Sequence, residues 1–170
     1  GVPTYVKQGK IEADEGSWLG GAFKPFDPSN KENLTPQIQL DRFAQRRDLL
    51  NNIDIKGVSG KGAESVEFYE GQAYDVILGS AKDAFNLDKE NEKTRESYGK
   101  NAIGDQLLLA RRLAEHGTRF VTLHYGGWDH HSNVGTAMKT KVPPADKAIA
   151  SFLQDVEERG LSEKILLVVT

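Results

Sequence analysis

The sequence predicts an α/β protein in which helices surround a small, mainly parallel sheet containing one βαβ unit. Three observations carry that expectation. Residues 118–125, Thr-Arg-Phe-Val-Thr-Leu-His-Tyr, are rich in β-branched and aromatic side chains and read as a strand. A long helical pattern follows, and residues 165–170, Ile-Leu-Leu-Val-Val-Thr, then read as a second, buried strand. Strand, helix, strand is the βαβ order, which makes the two strands parallel.

The remaining elements follow in chain order. Residues 1–34 contain Pro3, Pro25 and Pro28 and no sustained period, so they are expected to be irregular. From Gln39 to Asp54, Leu40, Phe43, Leu50 and Ile53 recur at helical spacing, with Asp41, Arg42, Gln45 and Arg46 on the other face. Gly57–Gly62 reads as a loop, and a second helix over Ala63–Leu78 stops at Gly79. Asp83–Glu96 is strongly charged with few apolar residues, the profile of a solvated connector. A third helix spans Ala102–His116, with Asn101 as its cap, Asp105 in its positive first turn, Arg111 and Arg112 near its negative end and Gly117 as its stop. Pro143 and Pro144 are placed to open a fourth helix with the stripe Ala145, Ile149, Phe152 and Val156, ending at Gly160. There is no internal repeat.

Composition bounds the function. A length of 170 residues suits one domain or part of one. With 38% hydrophobic and 28% charged residues the chain is of the soluble globular type. A net charge of -3 leaves no basic excess for nucleic acid, and no apolar run is long enough for a membrane span. Cysteine is absent, so any metal must be held by His, carboxylate or water. The chain is expected to continue past Thr170, because a buried strand ending there would be cut off from its loop.

Chemistry concentrates in Gly126-Gly127-Trp128-Asp129-His130-His131, directly after the first strand. In open α/β sheets ligands bind beyond the carboxyl ends of strands. Paired glycines let the chain turn sharply there. Residues two apart in an extended segment point the same way, so Asp129 and His131 can close on one ion while His130 faces elsewhere. Carboxylate oxygen and imidazole nitrogen suit zinc and similar divalent metals. The plainer alternative is that Asp129 caps a turn and His131 lies free on the surface. Trp128 is expected to pack, His124 to sit in the interior and His116 to complete a helix end. Gly57–Gly62 lacks the Gly-Lys-Ser/Thr ending of a phosphate loop, and no Gly-x-Ser-x-Gly elbow is present. Arg42, Arg46 and Arg47 read as a solvated helix edge.

A larger set of residues resembles a known family. Arg95-Glu96-Ser97-Tyr98-Gly99, Leu107 to Leu113, Gly117 to Thr122, Gly126-Gly127-Trp128-Asp129 with His131, and Asp155 with Arg159-Gly160-Leu161 are similar to the bacterial family called domain of unknown function 1501. Leu19-Gly20, Pro25-Phe26 and Arg42 to Leu50 add a looser likeness. That family resembles the alkaline phosphatase and sulfatase superfamily of metal-dependent ester hydrolases, built on a large, mainly parallel sheet. The resemblance implies that this chain is a partial alkaline-phosphatase-like domain from the middle of a phosphate- or sulfate-ester hydrolase, inactive alone. By the same likeness Asp129 and His131 are metal ligands, with His130 beside them where the family often has Thr. The implied cofactor is a divalent metal, zinc, calcium or manganese, held weakly or not at all by this portion. The nucleophile strand would lie upstream of Gly1, and a Gly-Glu-Phe-Gly-Arg run would follow Thr170. Implied partners are a small-molecule ester substrate and the rest of the parent chain, exported to the periplasm or beyond. The alternative is a non-catalytic binding or cell-surface module that keeps the fold.

Overall fold

A computed structural model describes residues 3, 5–9, 25–28, 41, 42, 45, 48, 49 and 81–170. Its elements, in order, are β1 (Tyr5–Gln8), α1 (Ala81–Phe85), a 3-10 turn (Leu87–Lys89), α2 (Glu92–Tyr98), α3 (Ala102–Glu115), β2 (Phe120–Leu123) and α4 (Val134–Glu158). The loop at Gly57–Gly62 and the helix expected over Ala63–Leu78 lie outside the described residues. Of the helix expected over Gln39–Asp54, Asp41, Arg42, Gln45, Asp48 and Leu49 are described and are helical.

β1 and β2 form a parallel pair, with Tyr5 opposite Phe120 and Gln8 opposite Leu123. His124 N–H extends the ladder to Gln8 O at 2.9 Å, and Phe26 bridges the other edge of β1 through two backbone bonds of 3.0 Å. Tyr5 and Phe120 stack edge to face, their centroids 5.1 Å apart. The parallel partner of β2 is therefore β1, which lies within the stretch expected to be irregular. Residues 165–170 form no ladder with any described residue. Ile165 and Leu167 pack on the core, whereas Leu166 is 87% exposed and Val168 and Val169 are exposed. An apolar run specifies an extended, half-covered segment, but a strand also needs a neighbour whose backbone groups it can bond.

α3 is the centre of the packing. Asn101 caps it by accepting a hydrogen bond from Gly104 N–H at 3.0 Å. Gly117 beyond its end takes φ +97°. Ile103, Leu107, Leu108 and Ala110 bury against Tyr98 of α2 and against Ala148, Phe152 and Val156 of α4. Leu113 packs instead with Val6 and Ala84, and Val121 of β2 touches both clusters. A Cβ on Gly104 would come 2.2 Å from the Tyr98 carbonyl oxygen, so only glycine allows α2 and α3 to approach this closely.

Two further expectations are corrected. Asp83–Glu96, expected as a solvated connector, is largely helical; most of its charged side chains are exposed, but Glu90 is buried to 8% exposure among arginines. α4 begins at Val134, so Pro143 and Pro144 lie inside it instead of opening it. Its buried stripe, Ala148, Phe152 and Val156 with Ile149 alongside, agrees with the expected face except that Ala148 replaces Ala145 as the buried alanine.

Candidate functional site

β2 delivers the loop. After Leu123 the chain passes Tyr125, turns at Gly126–Gly127 and presents Trp128, Asp129, His130 and His131 before α4 starts. Gly127 takes φ +80°, a conformation that side chains disfavour, and a Cβ there would lie 2.7 Å from Lys141 Nζ. The turn is held from two directions. Trp128 Nε1 donates to the Tyr125 carbonyl oxygen, and the two rings meet edge to face with centroids 5.4 Å apart. Lys141 of α4 donates from Nζ to Gly126 O at 2.6 Å, and the same nitrogen lies 5.1 Å from the centroids of both the Tyr125 and Trp128 rings. Tyr125 in turn donates its hydroxyl hydrogen to Lys141 O at 3.3 Å. Sequence reading missed Lys141, because nothing in its neighbours marks it apart from any helix-surface lysine.

Asp129 and His131 meet: Oδ1 lies 3.0 Å from Nε2. Both side chains are open to solvent, His131 at 87% and Asp129 at 88%. A tetrahedral zinc bonded at about 2.0–2.2 Å to each would hold two donors about 3.3 Å apart, so this pair fits one edge of such a site with little adjustment. His130 is not brought into the pair. Its backbone N–H donates to Trp128 O at 3.0 Å, and its Nε2 is shielded without a protein hydrogen bond. Among the described residues no group of three or more His, Asp or Glu side chains converges as a metal site would require. His124, expected in the interior, is exposed and lies beside Gly126. Alternating side chains send Leu123 and Tyr125 to the core and leave His124 outside. His116 does complete a helix end, its Nδ1 lying 2.8 Å from Arg112 O.

A second polar constellation sits under α2, α3 and α4. Arg111 is 1% exposed; its NH1 pairs with Glu115 and its NH2 with Glu90, each at 2.7 Å. Its Nε lies 2.9 Å from Asp155 Oδ2 but at an angle too poor for a hydrogen bond. Arg112 joins Glu90 at 2.8 Å and reaches the backbone oxygens of Ala84 and Asp83. Arg159 pairs with Asp155 at 2.6 Å and Glu115 at 3.0 Å, while Tyr98 donates to Asp155 at 3.0 Å. Burial pushes Glu90 up, but hydrogen bonds from Arg112 and Arg111 outweigh it and hold the carboxyl below its ordinary range. Burial and the neighbouring Asp155 carboxylate raise the Tyr98 phenol well above its usual value. Three arginines meet three carboxylates here, leaving no charge for a ligand to satisfy. Tyr98, Arg111-Arg112, Asp155 and Arg159 from the family-like motifs thus converge on a structural ion-pair network, while Arg95 pairs outside it with Asp88.

These features define a mixed α/β protein with a small parallel sheet and a candidate site at the carboxyl end of one strand. The chain belongs to the family described as Protein of unknown function (DUF1501), whose profile matches residues 3–170. No curated protein and no solved structure matches it. Among the described residues no helix is long and apolar enough to cross a membrane.

Proposed function

We propose that this chain contributes the central portion of a metal-dependent phosphate- or sulfate-ester hydrolase, with Asp129 and His131 forming one edge of the metal's ligand set. The observation that carries the reading is the 3.0 Å approach of Asp129 Oδ1 to His131 Nε2 in a loop just beyond the end of a parallel strand. The likeness of Trp128, Asp129 and His131 to the Trp-Asp-x-His pattern of the family, which itself resembles the sulfatases, supports the same chemistry. A divalent ion such as zinc, calcium or manganese, when bound, polarises the ester and lowers the pKa of the attacking group. This chain's part is to hold and orient: Asp129 and His131 supply donors, the Gly126–Gly127 turn aims them, and Trp128 with Tyr125 anchors the turn to the sheet. Two donors hold an ion weakly, so the remaining ligands and the nucleophile come from elsewhere in the parent.

The test is hydrolysis of aryl phosphates and aryl sulfates by the parent protein with zinc, calcium or manganese, beside Asp129→Ala. Metal-dependent turnover that falls by at least about a hundredfold in the variant is the expected outcome. Equal rates in both proteins, or none with any metal, would count against it. The near-complete exposure of both donors favours a second reading, a non-catalytic binding or cell-surface module of the same fold. That reading expects metal to bind the parent without turnover.

A further inference from the structure

We propose that Lys141 is the positioning residue of the loop, a clamp through which α4 sets the direction in which Asp129 and His131 are presented. Among the described residues, the first turns of α4 bury no side chain. Asn133 precedes them in the left-handed conformation with no side-chain cap, and the buried residues of the helix, Ala148, Phe152 and Val156, all lie after Pro143 and Pro144. Those prolines have no N–H, so the helical bonds to the carbonyls of Lys139 and Thr140 are missing. Residues 134–142 are therefore joined to the rest of α4 by a weakened ladder and bury no side chain of their own. Lys141 is where this segment meets the end of the sheet. Its ammonium binds Gly126 O, faces the Tyr125 and Trp128 rings, and its carbonyl takes the Tyr125 hydroxyl. Gly127 leaves the space that the ammonium fills. Tyr125, Gly126 and Trp128 are thereby tied to one side chain, and Asp129 is the next residue along the chain. The consequence for metal binding rests on the function proposed above; the consequence for loop geometry does not.

The sequence has two tryptophans, so Trp18→Phe makes Trp128 the only one, and excitation at the red edge of the absorption band, where tyrosine does not absorb, reads it alone. In that background Lys141→Met raises acrylamide quenching of Trp128 roughly twofold and weakens cobalt(II) binding roughly tenfold, through loss of a charge-assisted hydrogen bond and two cation–π contacts. Lys141→Arg restores both, and the thermal midpoint stays unchanged because Lys141 lies outside the core. Should Trp18→Phe not fold, 5-fluorotryptophan in the native sequence reads the same change as a shift of the Trp128 resonance. Unchanged Trp128 accessibility in Lys141→Met overturns the clamp, as does a fall in thermal midpoint large enough to show general destabilisation. Raised accessibility with no cobalt bound by any variant sustains the clamp and removes the metal reading. Cobalt bound equally by all variants with unchanged accessibility does the reverse.

Discussion

The guanidinium of Arg111 faces Glu90, Glu115 and Asp155 at 1% exposure, and its importance follows from what would remain without it. Arg112 would still contact Glu90, and Arg159 would still contact Glu115 and Asp155, but three carboxylates would then face two guanidinium groups. Removing one partner of a buried pair leaves charge uncompensated and costs about 3–5 kcal/mol. Arg111→Met should lower unfolding free energy in urea by that amount, and a loss below about 1 kcal/mol would refute the assignment. The same network sets a pH limit. Because Glu90 is held below its ordinary value of 4.5, the unfolded chain takes up this proton more readily than the folded one. Its contribution is present in full above that pH and is lost as pH falls through the lower folded value. Thermal midpoints measured from pH 7 to pH 3 should fall at the acid end, and Glu90→Gln should flatten that limb.

At the scale of elements, what could be read depended on whether the signal was local. α3 was legible because Asn101, Asp105 and Gly117 mark its ends and its apolar stripe is continuous. β1 was not, since Lys7 and Gln8 are buried and the strand exists through pairing with residues more than a hundred positions away. Asp83–Glu96 misled because its helices are short and polar, and because one of its charges, Glu90, faces arginines while most of the others face water. At the site, the two-residue spacing of Asp129 and His131 was enough to bring them together, whereas Lys141 required the register of a helix whose start was misplaced. That start gives a direct test. If Pro143 opened the helix, its fixed φ would suit the first position and replacing it would gain nothing. Inside a helix each proline costs up to about 3 kcal/mol and removes a hydrogen bond. The double variant Pro143→Ala, Pro144→Ala should therefore gain about 1–3 kcal/mol in urea unfolding and increase far-ultraviolet helicity. A neutral or destabilised variant would mean that residues 134–142 are not helical in solution.

For the whole molecule, the question is which apolar residues make the core, since the sequence contains two similar leucine-rich runs. Leu107, Leu108 and Leu109 lie on α3 between the α4 side of the core and the sheet side, and Leu108 is fully buried. Leu166 belongs to an equally apolar run but is 87% exposed. Composition ranks the two positions alike; burial separates them. Truncating a fully buried leucine loses its transfer free energy and leaves a cavity, about 2–5 kcal/mol together. Truncating an exposed one changes stability by about 0.5 kcal/mol or less. Leu108→Ala should thus cost about 2–5 kcal/mol, a large share of the stability of a domain this size, while Leu166→Ala should be almost silent. The comparison also probes residues 165–170 as a unit. Were they a buried strand in solution, Leu166→Ala would cost as much as Leu108→Ala and amide exchange at Leu166 to Val169 would be slow. Rapid exchange there, beside strong protection in α3, is what an extended segment exposed at Leu166, Val168 and Val169 requires.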